Sequence, residues 1–349
     1  MTHQWSPESA HAWFAEQPWL VGCNFTPSTA INQLEMWQEE TFDLPTIERE
    51  LALAASIGMN SVRVYLHDLL WLDPGFLDRV NVFLDAADRR GLRTMLVLFD
   101  SCWHPEPQAG PQPHPREGVH NSGWVQSPGL STLQNTAEHK RLEAYVKGVV
   151  GRFGRDPRVL AWDIWNEPDN GHEVAVCDPV ALAEKADLVV PLMIEAFGWA
   201  RSAIPMQPLT SGIWLGDWSA PDLLSPIQRA QTGLSDVISF HNYGVAEDFV
   251  TRVKWLKAFG RPVLCTEFMA RPAGSTFQAI LPAAREHGVG TFCWGLVRGK
   301  TQTHLPWDKW ENPGLCQLKD PWFHDIFDVD GVPHDPSEIA FLQQFKKVA

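Results

Sequence analysis

Short apolar runs alternate with longer stretches of helical periodicity along most of the chain. Eight runs read as strands: WLVGCNF (19–25), SVRVYL (61–66), RTMLVLFD (93–100), VLAWDIWNEP (159–168), QPLTSGIW (207–214), DVISFHNYG (236–244), RPVLCTEF (261–268) and VGTFCWGLV (289–297). They are rich in Val, Ile, Leu, Phe and Trp, and Gly, Pro or Asp often bounds them. Strands buried on both faces have this composition. Helical patterns fill the gaps. Residues 45–57 place Ile47, Leu51, Leu53 and Ala54 on one face, and Gly58 follows as a stop. Residues 76–90 behave alike and end at Gly91, while 137–153 set Leu142, Tyr145, Val146, Val149 and Phe153 at helical spacing. Segments 180–203, 249–259 and 277–287 continue the alternation.

Eight strands separated by helices predict an α/β fold with a parallel sheet, and eight is the number that closes a (β/α)₈ barrel. An open doubly wound sheet is the competing architecture. It calls for a glycine-rich phosphate turn after the first strand, and the chain has TPSTAINQ there instead. With no repeat and no low-complexity linker, residues 1–349 read as a single barrel domain. Two insertions, 101–135 and 298–336, follow the third and eighth runs. In a barrel both leave the C-terminal ends of strands, where binding loops and lids are built.

Composition narrows the function. Of 349 residues, 44% are hydrophobic and 20% charged, so a large core can form. The net charge of −14 argues against a nucleic-acid partner, which needs clustered Lys and Arg. The six cysteines form no CxxC pair, and Cys23, Cys265 and Cys293 sit inside apolar runs as small core residues. That usage suits a reducing compartment. No apolar stretch is long enough to span a membrane, and MTHQWSPESAHAWF does not read as a secretory leader, so the expectation is a cytoplasmic protein without membrane partners. Seventeen tryptophans exceed what the core needs. Trp103, Trp124, Trp214, Trp218, Trp294, Trp307 and Trp310 fall in loops or at strand ends, where an indole serves either as a packing anchor or as a platform for a sugar ring.

Two carboxylates carry the chemistry. Glu167 stands in Trp165-Asn166-Glu167-Pro168 at the end of the fourth run, and Glu267 stands in Thr266-Glu267-Phe268 at the end of the seventh. An acid closing an apolar strand is expensive to desolvate and therefore calls for a reason. Two such residues on different strands of one barrel can converge on one cavity. Glycosidic bond cleavage needs a pair of this kind, with one carboxylic acid protonating the leaving oxygen and one carboxylate attacking carbon or activating water. No H-x-H or H-E-x-x-H pattern favours a metal, and no G-x-S-x-G elbow favours a serine nucleophile, so neither metal nor cofactor is expected.

Asn-Glu-Pro after strand four, His-Asn-Tyr after strand six, Glu after strand seven and Trp after strand eight resemble the clan of retaining β-glycosidases. The closest similarity is to glycoside hydrolase family 5, the cellulase and mannanase family, from the first strand to Trp294. The resemblance implies Glu167 as acid/base and Glu267 as nucleophile. It implies that Asn166 binds the sugar 2-hydroxyl and that Arg63 pairs with Glu267. His241 and Tyr243 would complete the nucleophile's surroundings, and Trp294 would floor the reacting subsite. Glu167, beside an ionised Glu267, is expected to have a raised pKa and to stay protonated. The family usually ends its third strand in His, whereas this run ends Phe99-Asp100-Ser101-Cys102-Trp103, so Asp100, Trp103, His67 or His120 is expected to contact the sugar. Lys300 and Gln302 are further candidates in the last insertion. The substrate is expected to be a β-linked oligosaccharide or glycoside, trimmed from an end or as a short chain because the two insertions wall off one side. A non-catalytic sugar-binding barrel and a transglycosylase using the same residues are the alternatives.

Overall fold

The computed structural model describes residues 4–171, 179–307 and 322–346. Eight strands form one parallel sheet: β1 Val21–Asn24, β2 Ser61–Tyr65, β3 Arg93–Asp100, β4 Val159–Asn166, β5 Leu209–Thr210, β6 Ile238–His241, β7 Val263–Phe268 and β8 Gly290–Cys293. Each lies inside one predicted run. The order β5-β4-β3-β2-β1-β8-β7-β6 places sequence neighbours side by side. Between β5 and β6 an Ile213–Phe240 bridge nearly closes the ring, with the Ile213 N–H donating to Ser239 O at 3.0 Å and the His241 N–H to Ile213 O at 2.9 Å. The expected (β/α)₈ barrel is the fold. β5 is much shorter than its run, because past Thr210 that run is held by these intermittent bonds instead of a regular ladder.

The predicted helices form at Leu44–Ser56, Phe76–Asp88, His139–Phe153, Pro179–Ser202, Ala246–Lys257 and Phe277–Glu286. The first shows why. The Asp43 side chain accepts the Thr46 N–H at its N-terminus, and Ile47, Leu51 and Ala54 are buried along one stripe. Gly58 (φ 94°) and Gly91 (φ 71°) end their helices in the left-handed region, which favours glycine.

Among the described residues, five further α-helices lie outside the predicted set: Pro7–Ala15, Gln33–Trp37, Leu130–Gln134, Pro226–Leu234 and Pro336–Lys346. Pro7–Ala15 matters most for the barrel. Its Ala10 is buried, and Trp13 and Phe14 pack on Leu20, Met95, Ala161, Leu264 and Phe292, an apolar cluster separate from the main core. Among the described residues no helix is long and apolar enough to cross a membrane.

Candidate active site

The C-terminal strand ends carry the polar centre. Glu167 follows β4 in a left-handed conformation (φ 41°), which is uncommon outside glycine and marks a local cost of about 1–3 kcal/mol. Its carbonyl accepts the Asn170 N–H at 2.8 Å, closing a turn. Glu267 lies in β7, where the register shifts against β6 between Phe240 and His241 and against β8 between Cys265 and Phe268. Irregularities of this kind re-aim side chains. Here they bring His241 opposite Glu267. One oxygen from each glutamate and a His241 ring nitrogen lie within 4.8 Å of one another.

Glu267 is fully engaged. Arg63 Nη1 donates to Oε1 at 3.0 Å and the Tyr65 hydroxyl donates to the same oxygen at 2.9 Å, while the Tyr243 hydroxyl donates to Oε2 at 2.7 Å. Arg63 is completely buried. It also donates to Asn24 Oδ1 at 2.7 Å, to Asn166 Oδ1 at 2.7 Å and, through Nε and Nη2, to Asp163 Oδ2 at 3.1 and 2.8 Å. One guanidinium thus orients the proposed nucleophile, the asparagine before the proposed acid, and a second buried carboxylate.

Glu167 meets a different set. Its Oε1 faces His241 Nδ1 at 2.7 Å, and its Oε2 accepts from Asn170 Nδ2 at 2.6 Å and from the Cys102 thiol at 3.3 Å. His241 is nearer to Glu167 than to Glu267, which it approaches at 3.4 Å. The imidazole thus stands between the two carboxylates, beside Glu267 as expected and in closer contact with Glu167. The expected rise of the Glu167 carboxyl is reversed. Burial pushes Glu167 up, but the hydrogen bond and charge of His241 and the bond from Asn170 outweigh it and hold the carboxyl below its ordinary value. Burial lowers His241, but the charge of Glu267 and the bond and charge of Glu167 raise it above the usual histidine value.

Asp100 does not reach the cleft as expected. It is 1% exposed, and its oxygens accept from Asn166 Nδ2 (2.9 Å), Trp124 Nε1 (2.6 Å), Gln33 Nε2 (3.2 Å) and the Cys102 N–H (3.0 Å). Burial pushes its carboxyl up to about 7. It positions Asn166, whose side chain lies between Asp100 and Arg63. Trp294 and Trp103 are partly buried against a cluster of Tyr65, Val97, Cys102 and Trp124, and the Trp294 ring meets Tyr65 edge-on at 6.0 Å. His67 turns away to accept the Leu69 N–H, and His120 contacts Leu305 O at 2.8 Å and packs on His324, so neither touches the glutamates. Lys300 pairs with Glu35 at 2.6 Å, and Gln302 ties the two insertions together through Gly118, Arg116 and Val119. Trp124 and Trp218 are buried packing anchors, Trp214 donates to Asp169 at 2.6 Å, and Trp307 packs edge-on against Tyr243 at 4.7 Å. Trp310 lies outside the described residues.

Several functional residues went unread in the sequence. Asp163, an acid in mid-strand, and Tyr65, two residues from Arg63 on the same inward face, both carried a signal: a buried charge needs a partner, and strand positions alternate. Asn170, Cys102 and Lys185 carried none. Lys185 Nζ donates to Asn170 O at 2.6 Å and Ser101 O at 3.1 Å, fixing the amide that holds Glu167.

The cluster of Glu167, His241 and Glu267 has the spacing of a cation site. Its chemistry points elsewhere. Each carboxylate oxygen already faces a protein donor, and Arg63 sets a permanent positive charge against Glu267. A metal ion would have to compete with both.

Comparisons with known proteins bear on this centre. No curated protein sequence matches the chain significantly. Solved structures match its fold. An exo-β-1,4-mannosidase, Op5Man5 from Opitutaceae bacterium strain TAV5, superposes with a TM-score of 0.60 at 22% identity, over 94% of this chain and 59% of that one. GH5_18 from Streptomyces cattleya in complex with GlcNAc gives 0.60 at 15% identity, over 94% of this chain and 80% of that one. A β-1,4-mannanase from the sea hare Aplysia kurodai gives 0.55 at 16% identity, over 87% and 93%. This chain thus spans little more than half of the mannosidase's length. At these identities the likeness is one of fold. Residues 22–299, most of the chain and every strand but the first residue of β1, match the family described as cellulase (glycosyl hydrolase family 5). The chain, with its two glutamates at the ends of β4 and β7, belongs to glycosyl hydrolase family 5.

Proposed function

We propose that the protein is a retaining β-glycoside hydrolase that releases a terminal sugar from short β-linked substrates, with Glu267 as nucleophile and Glu167 as acid/base. The observation that carries this reading is the approach of the two glutamates to within 4.8 Å, oxygen to oxygen, around a shared imidazole. A carboxylate separation of about 5 Å suits direct attack on the anomeric carbon, whereas inversion needs about 6.5–9.5 Å to admit water. Glu267, held by Arg63, Tyr65 and Tyr243, attacks the anomeric carbon and forms a glycosyl ester. Glu167 takes the proton from His241 Nδ1 across 2.7 Å and passes it to the leaving oxygen. Water entering in the leaving group's place loses a proton to Glu167 and opens the ester. Asn166, fixed between Arg63 and Asp100, is set to bind the sugar 2-hydroxyl.

Action at a chain end is supported by the tie between the two insertions. The Asn121 N–H donates to Thr301 O at 2.7 Å, Gln302 bonds to Gly118, and His120 bonds to Leu305 O. Together they form a wall beside the site. β-Mannosides are the first substrates to try, because relatives of this fold include an exo-β-1,4-mannosidase and a β-1,4-mannanase. The test is turnover of 4-nitrophenyl β-mannoside and β-glucoside. Glu267→Ala should abolish it, and azide should restore turnover as the glycosyl azide. Persistence of activity in Glu267→Ala without azide would end the proposal.

A further inference from the structure

A lysine stands where an apolar side chain would pack at lower cost. Lys185 lies in the helix Pro179–Ser202 with 3% of its surface exposed. Among the described residues its ammonium bonds only to two main-chain carbonyls, Asn170 O at 2.6 Å and Ser101 O at 3.1 Å. Burial pulls the group down to about 8, against the opposing charges of Asp100 and Asp169. Taking an ammonium out of water without a bonded carboxylate is unfavourable, and an apolar residue of similar size would fill the space without that cost. The position calls for a task that packing does not supply.

The two carbonyls belong to the two loops that hold Glu167. The Ser101–Cys102 peptide is gripped at both ends: Lys185 donates to its oxygen, and its N–H donates to Asp100 Oδ1 at 3.0 Å. That grip presents the Cys102 thiol to Glu167 Oε2 at 3.3 Å. Asn170 is fixed in the same manner. Its N–H donates to Glu167 O at 2.8 Å, its carbonyl accepts from Lys185, and its amide donates to Glu167 Oε2 at 2.6 Å. One ammonium therefore bridges the loop after β3 to the loop after β4 and sets both donors to one oxygen of Glu167. Two donors on Oε2 fix the rotation of the carboxyl and keep Oε1 against His241 Nδ1 at 2.7 Å. Glu267 is held by a separate set, Arg63, Tyr65 and Tyr243. The lysine thus bears on one carboxylate of the pair and not on the other.

We infer that Lys185 is a positioning residue for proton transfer. Acting through Asn170 and Cys102, it sets Glu167 to give a proton to the leaving group and to take one from water, and it has no part in the attack by Glu267. The inference rests on the assignment of Glu167 as acid/base above. Leaving groups separate the two halves of the chemistry. A departing phenolate needs the proton that Glu167 delivers, whereas 2,4-dinitrophenolate leaves without it. Phenyl and 2,4-dinitrophenyl β-mannosides and β-glucosides are therefore compared in the unmodified protein, in Lys185→Met and in Asn170→Ala. Methionine keeps the length of the side chain and removes the ammonium. On the phenyl glycoside kcat/KM should fall by about tenfold to a hundredfold in each variant, the scale of a misplaced proton donor. On the dinitrophenyl glycoside kcat/KM should stay within about threefold, because its first step needs only Glu267. There kcat should fall together with KM, because the slow step becomes the opening of the ester by water, for which Glu167 is the base. A merely structural role would lower both substrates alike. Equal losses on the two, or no loss on the phenyl glycoside in a folded Lys185→Met, would overturn the inference. Should Lys185→Met fail to fold, Asn170→Ala decides, since the path from Lys185 to Glu167 runs through that amide and the inference fails without the leaving-group split. Turnover of neither glycoside by the unmodified protein would remove the hydrolase reading and the inference with it. Turnover without the split in the variants removes the inference alone.

Discussion

Asp163 offers the sharpest test of how the centre is held. It and Arg63 are both completely buried, and one oxygen, Oδ2, takes both guanidinium bonds at 3.1 and 2.8 Å. The other oxygen, Oδ1, has no partner. Asp163→Ala leaves two donors of a buried cation unpaired, and breaking such a pair from one side costs about 3–5 kcal/mol. At roughly 2 °C per kcal/mol for a chain of this size, the melting temperature should fall by about 6–10 °C. Asp163→Asn should behave differently. Its amide oxygen can keep the place of Oδ2, and its NH₂ can take the place of the unused Oδ1, so the cost should be nearer 1–2 kcal/mol. Charge alone would not separate the two variants, since both lose it. Hydrogen-bond geometry does. Activity should follow the same order, because the guanidinium plane sets both Asn166 and Glu267, and a shift of about 1 Å at reacting groups costs on the order of a hundredfold. Urea denaturation followed by circular dichroism, with kcat on an aryl glycoside, gives both readouts. A loss below about 1 kcal/mol in Asp163→Ala, or equal losses in the two variants, would refute the reasoning.

The pH profile should report the His241–Glu167 pair. His241 is raised above 6.5, so below that raised value the pair keeps the proton that leaving-group departure needs, and above it the proton is lost and the rate falls. In His241→Gln the high-pH limb should move down, because Glu167 alone must then hold the proton; a limb that stays in place would remove His241 from the proton path. Tyr65→Phe and Tyr243→Phe each delete one bond to Glu267, at 2.9 and 2.7 Å, and kcat should drop about tenfold in each, with a double variant less than multiplicative. Gln302→Ala unties the insertions at Gly118, Arg116 and Val119. KM for short glycosides should rise several-fold with kcat nearly constant, at a stability loss of about 1–2 kcal/mol measured by denaturation.

The sequence by itself determined the number and order of the strands and the two strand-end glutamates. Strands buried on both faces must be apolar throughout, and that leaves a mark without reference to any neighbour. Glu167 and Glu267 stood out for the same reason, as charges closing apolar runs. Other local signals were present and unread. Ser6 and Pro7 open the helix beneath the barrel, and Ser225 with Gln228 forms a capping box for Pro226–Leu234. Tertiary structure alone decided that His241 faces both carboxylates and lies nearer Glu167, that Asp100 stands behind Asn166, and that Asn121 and Thr303, about 180 residues apart, line one pocket. Those outcomes turn on register shifts at β6, β7 and β8 and on the way two loops meet. A shift of one residue moves a side chain by several ångströms while leaving the pattern of apolar and polar positions the same, so the pattern holds no record of it.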